Sequence, residues 1–528
     1  MTTRLKLTWS SLGVMVLLGI ALALRLKGLT ATSLSVDECM MIQNAQGILN
    51  SGYPHRFMGS TSLPLSTYEL LPYPVALFMG LFGAKAFFLR LPAVFFGVAT
   101  TGLIYLVGSR LFSRSTGFVA ALIYAFSPWA INWSQSLFHP AQDQFLGLLT
   151  IYLYYRGAVE SPEMKPGYLF GSMASFSLAY LTWEGYGLFL PVFLLAMFVF
   201  KWENWSWMKS PTLWAASLLA VAVVILELCW RLVSFPPFLV IGNELRPLRT
   251  PTLAFLRADT DLWVSWRRFF WGENRTVLTF LALVGLPLIR RDRALAYLYL
   301  VMVSFAVFLT CLMEELLPHY FYGMLPLLVL IATRSLMTYL EKIGDLLPSQ
   351  GAIHAGILKY GLILVALGGV FLASNNLDLR LYRLSYPPEE EPAFERKDFM
   401  WIDHRGGAEY LAQQAGTASV ISNMGAYVQL FEATKCSCNY GAEYFPYAPL
   451  FYDYVGQGHT YLEKFAGAQT LRNPQELQEA FYQNKKLYLG MSAVDRLAGY
   501  SPEFFEFLQS HCQPVYNTFS LQVFLWNR

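Results

Sequence analysis

Charge is scarce in this chain, and that scarcity excludes most soluble folds. Only 14% of its 528 residues are Asp, Glu, Lys or Arg, against roughly 25% in an ordinary soluble domain. Hydrophobic residues make up 55%, and the mean hydropathy is +0.40. The net charge of +3 is small and spread along the chain, so no concentrated basic face is offered to a nucleic acid. Cysteine is rare too: six residues, none at metal-type spacing. Cys229 and Cys311 fall in apolar segments. Cys436, Cys438 and Cys512 fall near the C-terminus, where an oxidising compartment would allow Cys512 to pair with Cys436 or Cys438, or leave them as thiols. No Gly-rich phosphate loop or short-period repeat is present. The first apolar run, Trp9 to Leu24, lacks a small-residue cleavage site, which makes it a retained anchor rather than a signal peptide.

What is there is a series of apolar runs long enough to span a bilayer. Hydropathy windows predict about eleven spanning helices, at 9–25, 87–108, 116–132, 139–156, 167–183, 185–200, 211–233, 277–289, 293–312, 320–338 and 355–374. The apolar segment 63–83 is broken by Pro64, Pro72 and Pro74 and reads as interfacial helices within a first outer loop, 26–86. Lys and Arg in the short loops set the orientation. Arg4, Lys6, Arg110, Arg114, Arg156, Lys165, Lys201, Lys209, Arg290, Arg291, Arg293, Arg334 and Lys342 all fall on the cytoplasmic side when the N-terminus is cytoplasmic. The expected location is the plasma (inner) membrane, multi-pass, with the C-terminal region extracytoplasmic. The outer loop 234–276 departs from the trend by carrying Arg246, Arg249, Arg257, Arg267, Arg268 and Arg275. A basic outer loop suits either a bound lipid phosphate or ordinary headgroup contact.

From about Asn375 the chain changes character. A linker rich in proline and acids, Tyr382 to Asp403, precedes strand-length runs at 418–422, 486–490 and 518–526 and helical stretches at 407–414 and 474–483. The predicted fold is therefore an all-α polytopic membrane domain, residues 1–374, followed by an extracytoplasmic α/β domain, residues 375–528.

Polar residues converge on the predicted outer side. Asp37 and Glu38 are adjacent carboxylates just past the first span, suited to work as a base and an orienting group. Asp143 and His139 stand at the start of the fourth span, and Glu184 at the turn between spans five and six. Glu314, Glu315, His319 and Tyr320 precede span ten, and Arg25 and Arg90 close spans one and two. Each alone reads as a capping or interfacial residue; their common side is what points to chemistry. For Arg90 the structural alternative is a buried pair with Asp37 or Glu38.

Four stretches make the pattern more specific. They are Arg25-Leu26 with Asp37-Glu38; Arg90-Leu91-Pro92-Ala93-Val94-Phe95-Phe96-Gly97 running into Tyr105 to Phe112; Ala120 to Pro128 followed by Asp143; and Pro318-His319-Tyr320-Phe321 through Pro326. Over about residues 10–340 the chain resembles the GT-C superfamily of polytopic glycosyltransferases. The similar branch holds the protein O-mannosyltransferases and the lipid A aminoarabinose transferase.

That resemblance implies inverting transfer of a sugar from a polyprenyl-phosphate carrier to an extracytoplasmic acceptor, which could be lipid, glycan or protein. It places the general base at Asp37, with Glu38 beside it, and a second acid at Asp143. Where that family has Thr-Lys, with the lysine on the donor phosphate, this chain has Trp183-Glu184. Phosphate contacts must then come from elsewhere: Arg90, His139, His319, Tyr320, or Arg246, Arg249, Arg257, Arg267 and Arg268, with Glu184 at the same site. A divalent cation, Mg or Mn, held by Asp37, Asp143 and Glu184 is a further expectation. The competing classes are a transporter or flippase, which would place its polar residues near mid-membrane and show repeats, and a non-catalytic glycan-assembly protein.

Overall fold

The computed structural model describes residues 9–30, 34, 36–58, 61–64, 69–234, 240–241, 244–245, 266–267, 269–272, 275–312, 318–346, 352–373, 405–416, 418–422, 438–440, 469–471, 474–492, 502–517 and 521–528. In chain order, α1 (Trp9–Leu26) and α2 (Val36–Ser51) precede a hairpin of β1 (His55–Met58) and β2 (Thr61–Pro64). Then come α3 (Pro72–Phe82), α4 (Ala86–Leu111), α5 (Arg114–Ala125), α6 (Pro128–Trp133), α7 (Pro140–Tyr154), α8 (Pro166–Thr182), α9 (Phe189–Phe200) and α10 (Pro211–Ser234). The short strands β3 (Val240–Ile241) and β4 (Glu244–Leu245) separate these from α11 (Thr276–Val284), α12 (Arg293–Leu312), α13 (Leu325–Leu346) and α14 (Ala352–Ala373).

Proline punctuates this order. It opens α3, α6, α7, α8 and α10, because its fixed φ suits a first helical turn where its missing N–H costs nothing. Glycine sets the closest helix approach. A Cβ on Gly108 of α4 would stand 2.7 Å from the Cα of Gly117 on α5, so the two backbones touch as small residues allow in a membrane. The main core is a continuous apolar and aromatic cluster shared by α1, α4 to α14 and the turns between them.

Among the described residues four helices are long and apolar enough to cross a membrane: Ala86–Leu111, Pro211–Trp230, Arg293–Leu312 and Tyr320–Gly344. Shorter apolar helices lie at Ser11–Leu26, Pro72–Phe82, Glu184–Phe200 and Gly361–Ala373. The apolar runs expected as eleven single spans are often interrupted. Residues 116–132 divide before Pro128 into α5 and α6, and 277–289 into α11 and a 3-10 turn, Leu286–Arg290. The run 139–156 passes from α7 into a π-helical turn, Tyr155–Val159. A hydropathy window sums apolarity and is blind to a break in the hydrogen-bond ladder. Within the described part of the segment 63–83, Thr61–Pro64 is a strand and Pro72–Phe82 is a helix.

The C-terminal region holds a six-stranded sheet, order β7-β6-β5-β8-β10-β9. Its strands are β5 (Ser419–Ser422), β6 (Cys438–Tyr440), β7 (Gln469–Leu471), β8 (Lys486–Ser492), β9 (Gln513–Asn517) and β10 (Leu521–Asn527). β5 to β8 run parallel, and β10 is antiparallel to β8 and β9. Side-chain alternation divides the two faces. Ile421, Leu487, Leu489, Phe524 and Trp526 pack with Phe481 of α16 (Pro474–Gln483) and Leu508 of α17 (Pro502–His511). Val420, Tyr488 and Val523 pack with Leu411 of α15 (Arg405–Gln414). Cys512 is a buried free thiol on the first of these faces; Cys436, its expected alternative partner, lies outside the described residues.

Candidate functional site

Four of the polar residues singled out in the sequence, Glu38, Arg90, His139 and Asp143, form two buried pairs. The first is Glu38 with Arg90. Arg90 Nε and Nη2 donate to the two carboxylate oxygens at 2.8 and 2.9 Å, and both side chains are fully buried. Arg90 Nη1 also donates to the Leu29 carbonyl at 2.7 Å, and the Leu137 amide donates to Glu38 Oε1 at 3.2 Å. This planar fork fixes α2 to α4 and to the loop before α7. Glu38, expected as a catalytic group, and Arg90, expected on the donor phosphate, are thus joined to each other. Asp37 lies in the first turn of α2; its side chain lies outside the described residues.

The second pair is His139 with Asp143. His139 precedes Pro140 at the start of α7 and Asp143 follows in its first turn, so the i,i+4 spacing sets both on one face. His139 Nδ1 bonds Asp143 Oδ2, and the two side chains are 1% and 2% exposed. Asp143 Oδ1 is buried and has no hydrogen-bond partner among the described residues. The helix N-terminus adds partial positive charge beside the carboxylate.

Aromatic rings enclose this pair. His139 stacks on Trp183, centroids 5.0 Å apart, and Tyr320 stacks on Trp183 at 5.3 Å. Trp183 is held where it is by Gly185, whose Cβ position its ring occupies. Phe138 meets His139 edge-on, then Trp133, which meets Tyr322. Tyr322 stacks on Trp129 at 4.6 Å, and the Arg275 guanidinium lies 3.6 Å from the centre of the Trp129 ring. The belt therefore runs from Tyr320 to a buried cation at Arg275. A small crevice lined by Leu71, Val75, Ala93, Phe96, Phe138 and Gln142 lies between α3, α4 and α7.

Behind the pair stands a polar scaffold. Arg25, fully buried, donates to Ser134 Oγ at 3.2 Å and to the carbonyls of Ala21 and Ala125. Gln135 donates to the carbonyls of Arg25 and Lys27. Gly97 makes room for this contact, since a Cβ there would stand 2.6 Å from Arg25 Nε. Tyr124 donates to Gln144, and Gln142 donates to Thr182 at 2.8 Å.

The remaining expected residues are scattered. Glu184 begins a 3-10 turn, Glu184–Leu188, and is half-buried. Arg267 is exposed. The side chain of His319 and all of Arg246, Arg249, Arg257, Arg268, Glu314 and Glu315 lie outside the described residues. Among the described residues no three of His, Cys, Asp and Glu come together as ligands for a cation. Sequence reading passed over Trp129, Tyr322 and Tyr186. Their signal was weak: aromatic residues at or within a few positions of Pro128, Pro318 and Glu184 in a chain that is 16% aromatic.

Residues 70–230 match the family model of dolichyl-phosphate-mannose-protein mannosyltransferases. No curated protein sequence matches the chain. Among solved structures, ArnT from Cupriavidus metallidurans bound to undecaprenyl phosphate superposes with a TM-score of 0.62 at 13% identity, over 97% of each chain. The archaeal oligosaccharyltransferase AglB from Archaeoglobus fulgidus, in complex with an inhibitory peptide and a dolichol-phosphate, gives 0.55 at 11% identity, over 92% of this chain and 69% of that one. The chain thus has the fold of the GT-C membrane glycosyltransferases, as its sequence motifs implied.

Proposed function

We propose that this protein is an integral membrane glycosyltransferase that moves a sugar from a polyprenyl-phosphate carrier to an extracytoplasmic acceptor. The observation that carries the reading is the buried His139–Asp143 pair, with Asp143 Oδ1 left for a further partner, in a fold shared with proteins solved with polyprenyl phosphates. A buried carboxylate oxygen without a partner is costly, and a bound substrate hydroxyl would supply that partner.

In this reading Asp37 takes the proton of the acceptor hydroxyl as that oxygen attacks the sugar C1. The bond from C1 to the phosphate oxygen breaks with inversion, and the polyprenyl phosphate leaves with the bonding electrons. Charge grows on the departing phosphate, and cationic or N–H groups aimed there lower the barrier. His139, held through Nδ1 by Asp143, is the described group best placed for this role. The buried Arg275 lies farther along the same aromatic belt. The ring-lined enclosure keeps water from competing with the acceptor. The positive-inside pattern places this end of the molecule on the extracytoplasmic face of the plasma membrane, with residues 375–528 forming a separate α/β domain on the same side.

The test is transfer from a panel of radiolabelled undecaprenyl-phosphate sugars to an envelope extract, with wild type and Asp37→Asn compared. Transfer by wild type, and its loss in a folded Asp37→Asn, is the expected result. Solute or lipid movement across vesicles without donor consumption would replace this reading with transport.

A further inference from the structure

Tyr186 is a fully buried phenol, and the bond it makes is to the backbone of Asp143 rather than to a side chain. Its side chain is fully buried. The hydroxyl donates to the Asp143 carbonyl at 3.0 Å, an acceptor in the first turn of α7. Two glycines on separate segments are shaped around it. A Cβ on Gly147, one turn along α7, would stand 2.6 Å from Tyr186 Cε1. A Cβ on Gly323, in the 3-10 turn Pro318–Met324, would overlap the Tyr186 hydroxyl. Phe189 and Phe305 hold the other sides of the ring, with centroids at 4.9 and 5.9 Å. One phenol thus fills the space between α7, the turn after Trp183 and the turn that carries His319 and Tyr320. Neither glycine has a positive φ among those recorded, so their lack of a side chain answers to space and not to backbone conformation.

We propose that Tyr186 is a positioning residue for sugar transfer: it fixes the Asp143 turn of α7 against the 318–324 turn, so that Asp143 and Tyr320 keep one spacing across the substrate site. This rests on the glycosyltransferase reading above. The ring supplies the spacing and the hydroxyl sets the rotation of the first turn of α7, hence the direction of Asp143 Oδ1. The Trp183 ring meets Tyr186 edge-on at 5.8 Å, so the stack on His139 is braced by the same residue. A displacement of about 1 Å at a reacting group is enough to cost on the order of a hundredfold in rate.

The test is a double-mutant cycle on the full-length protein in detergent or nanodiscs: wild type, Tyr186→Phe, Gly323→Ala and the double variant. Turnover and KM are measured with the undecaprenyl-phosphate sugar that wild type uses, and thermal unfolding is followed in parallel. Loss of one hydrogen bond predicts a turnover about tenfold lower for Tyr186→Phe, with donor KM within about twofold. Gly323→Ala should lower both turnover and unfolding temperature when the hydroxyl is present, and should cost less than half as much in the Y186F background, which removes the atom it overlaps. Wild-type turnover in Tyr186→Phe, or strictly additive costs, overturns the proposal. So does a fall in unfolding temperature with turnover per folded molecule unchanged, which would make Tyr186 structural only. If wild type consumes no donor, the glycosyltransferase reading fails and takes the catalytic claim with it; the unfolding cycle alone then decides whether the wedge exists.

Discussion

Two buried pairs of polar side chains in this fold differ in one respect. Glu38 and Arg90 satisfy each other: both carboxylate oxygens are bonded by the guanidinium, and its third nitrogen reaches a backbone carbonyl. His139 and Asp143 share a single bond, and one oxygen of Asp143 has no partner among the described residues. In a saturated pair the carboxylate is already neutralised and bonded, which suits a structural role. An unsaturated one keeps capacity for a ligand, at a cost to stability that function would explain. Adjacency to a membrane exit does not separate the two cases; hydrogen-bond accounting does.

The largest effect should come from breaking the saturated pair. Glu38→Gln leaves a buried, unneutralised Arg90 and is expected to destabilise the fold by about 3–5 kcal/mol, read as a lower unfolding temperature or as loss of monodisperse protein. Replacing both partners with methionine should recover most of that loss, because no buried charge then remains; failure to recover would mean that the pair has a role beyond its own neutralisation. Gly97→Ala should come next, at about 1–3 kcal/mol, by pushing its methyl into Arg25 and Ser134, and it is checked by the same unfolding measurement.

The opposite end of the helical region supplies the contrast. Glu160 pairs there with Arg156 at 2.9 Å and Lys165 at 2.7 Å, with side chains 20–39% exposed. Solvent screens such pairs, so Glu160→Gln should change stability by no more than about 1 kcal/mol. Lys201 stands between these extremes: burial, and then the nearby Arg293, hold its pKa below the usual lysine range.

The smallest effect concerns Cys512, which shows that burial alone does not make a reactive group. Burial pushes its thiol up to about 12. The unfolded thiol ionises near about 8.5, so this group's contribution to stability is complete below that pH and is lost as pH rises towards 12. Iodoacetamide at pH 8, with adducts mapped by mass spectrometry, should leave Cys512 unmodified in the native protein and label it after denaturation. Native labelling would contradict the packing of α17 on the sheet.

Much of this was legible from sequence, and the part that was not has a physical cause. The positions of α1, α4, α10, α12 and α14 follow from uninterrupted apolar runs, and α16 matches its expected bounds because Pro474 opens it. Asp143 stood out only together with the other polar residues on the same predicted side, because alone a carboxylate at a helix start reads as a cap. The choice of Arg90's partner was not legible. Asp37 and Glu38 are chemically equivalent in the sequence, and only the rotation of α2 decides which one faces α4. The breaks at Pro128 and Leu286 were hidden because hydropathy averages across them. Tyr186 was hidden because its role is defined by Gly147 and Gly323, residues remote in the chain.

The most direct measurement takes turnover and thermal unfolding on the same preparations of wild type, Asp143→Asn and Glu38→Gln. The account predicts a crossed result. Asp143→Asn should unfold close to wild type while its sugar transfer falls by about 10²- to 10⁴-fold. Glu38→Gln should unfold much earlier, yet keep transfer within a few-fold per folded molecule. If Asp143→Asn transfers sugar at the wild-type rate, or if the folded fraction of Glu38→Gln is the inactive one, the assignment of the two pairs is reversed and the account is wrong.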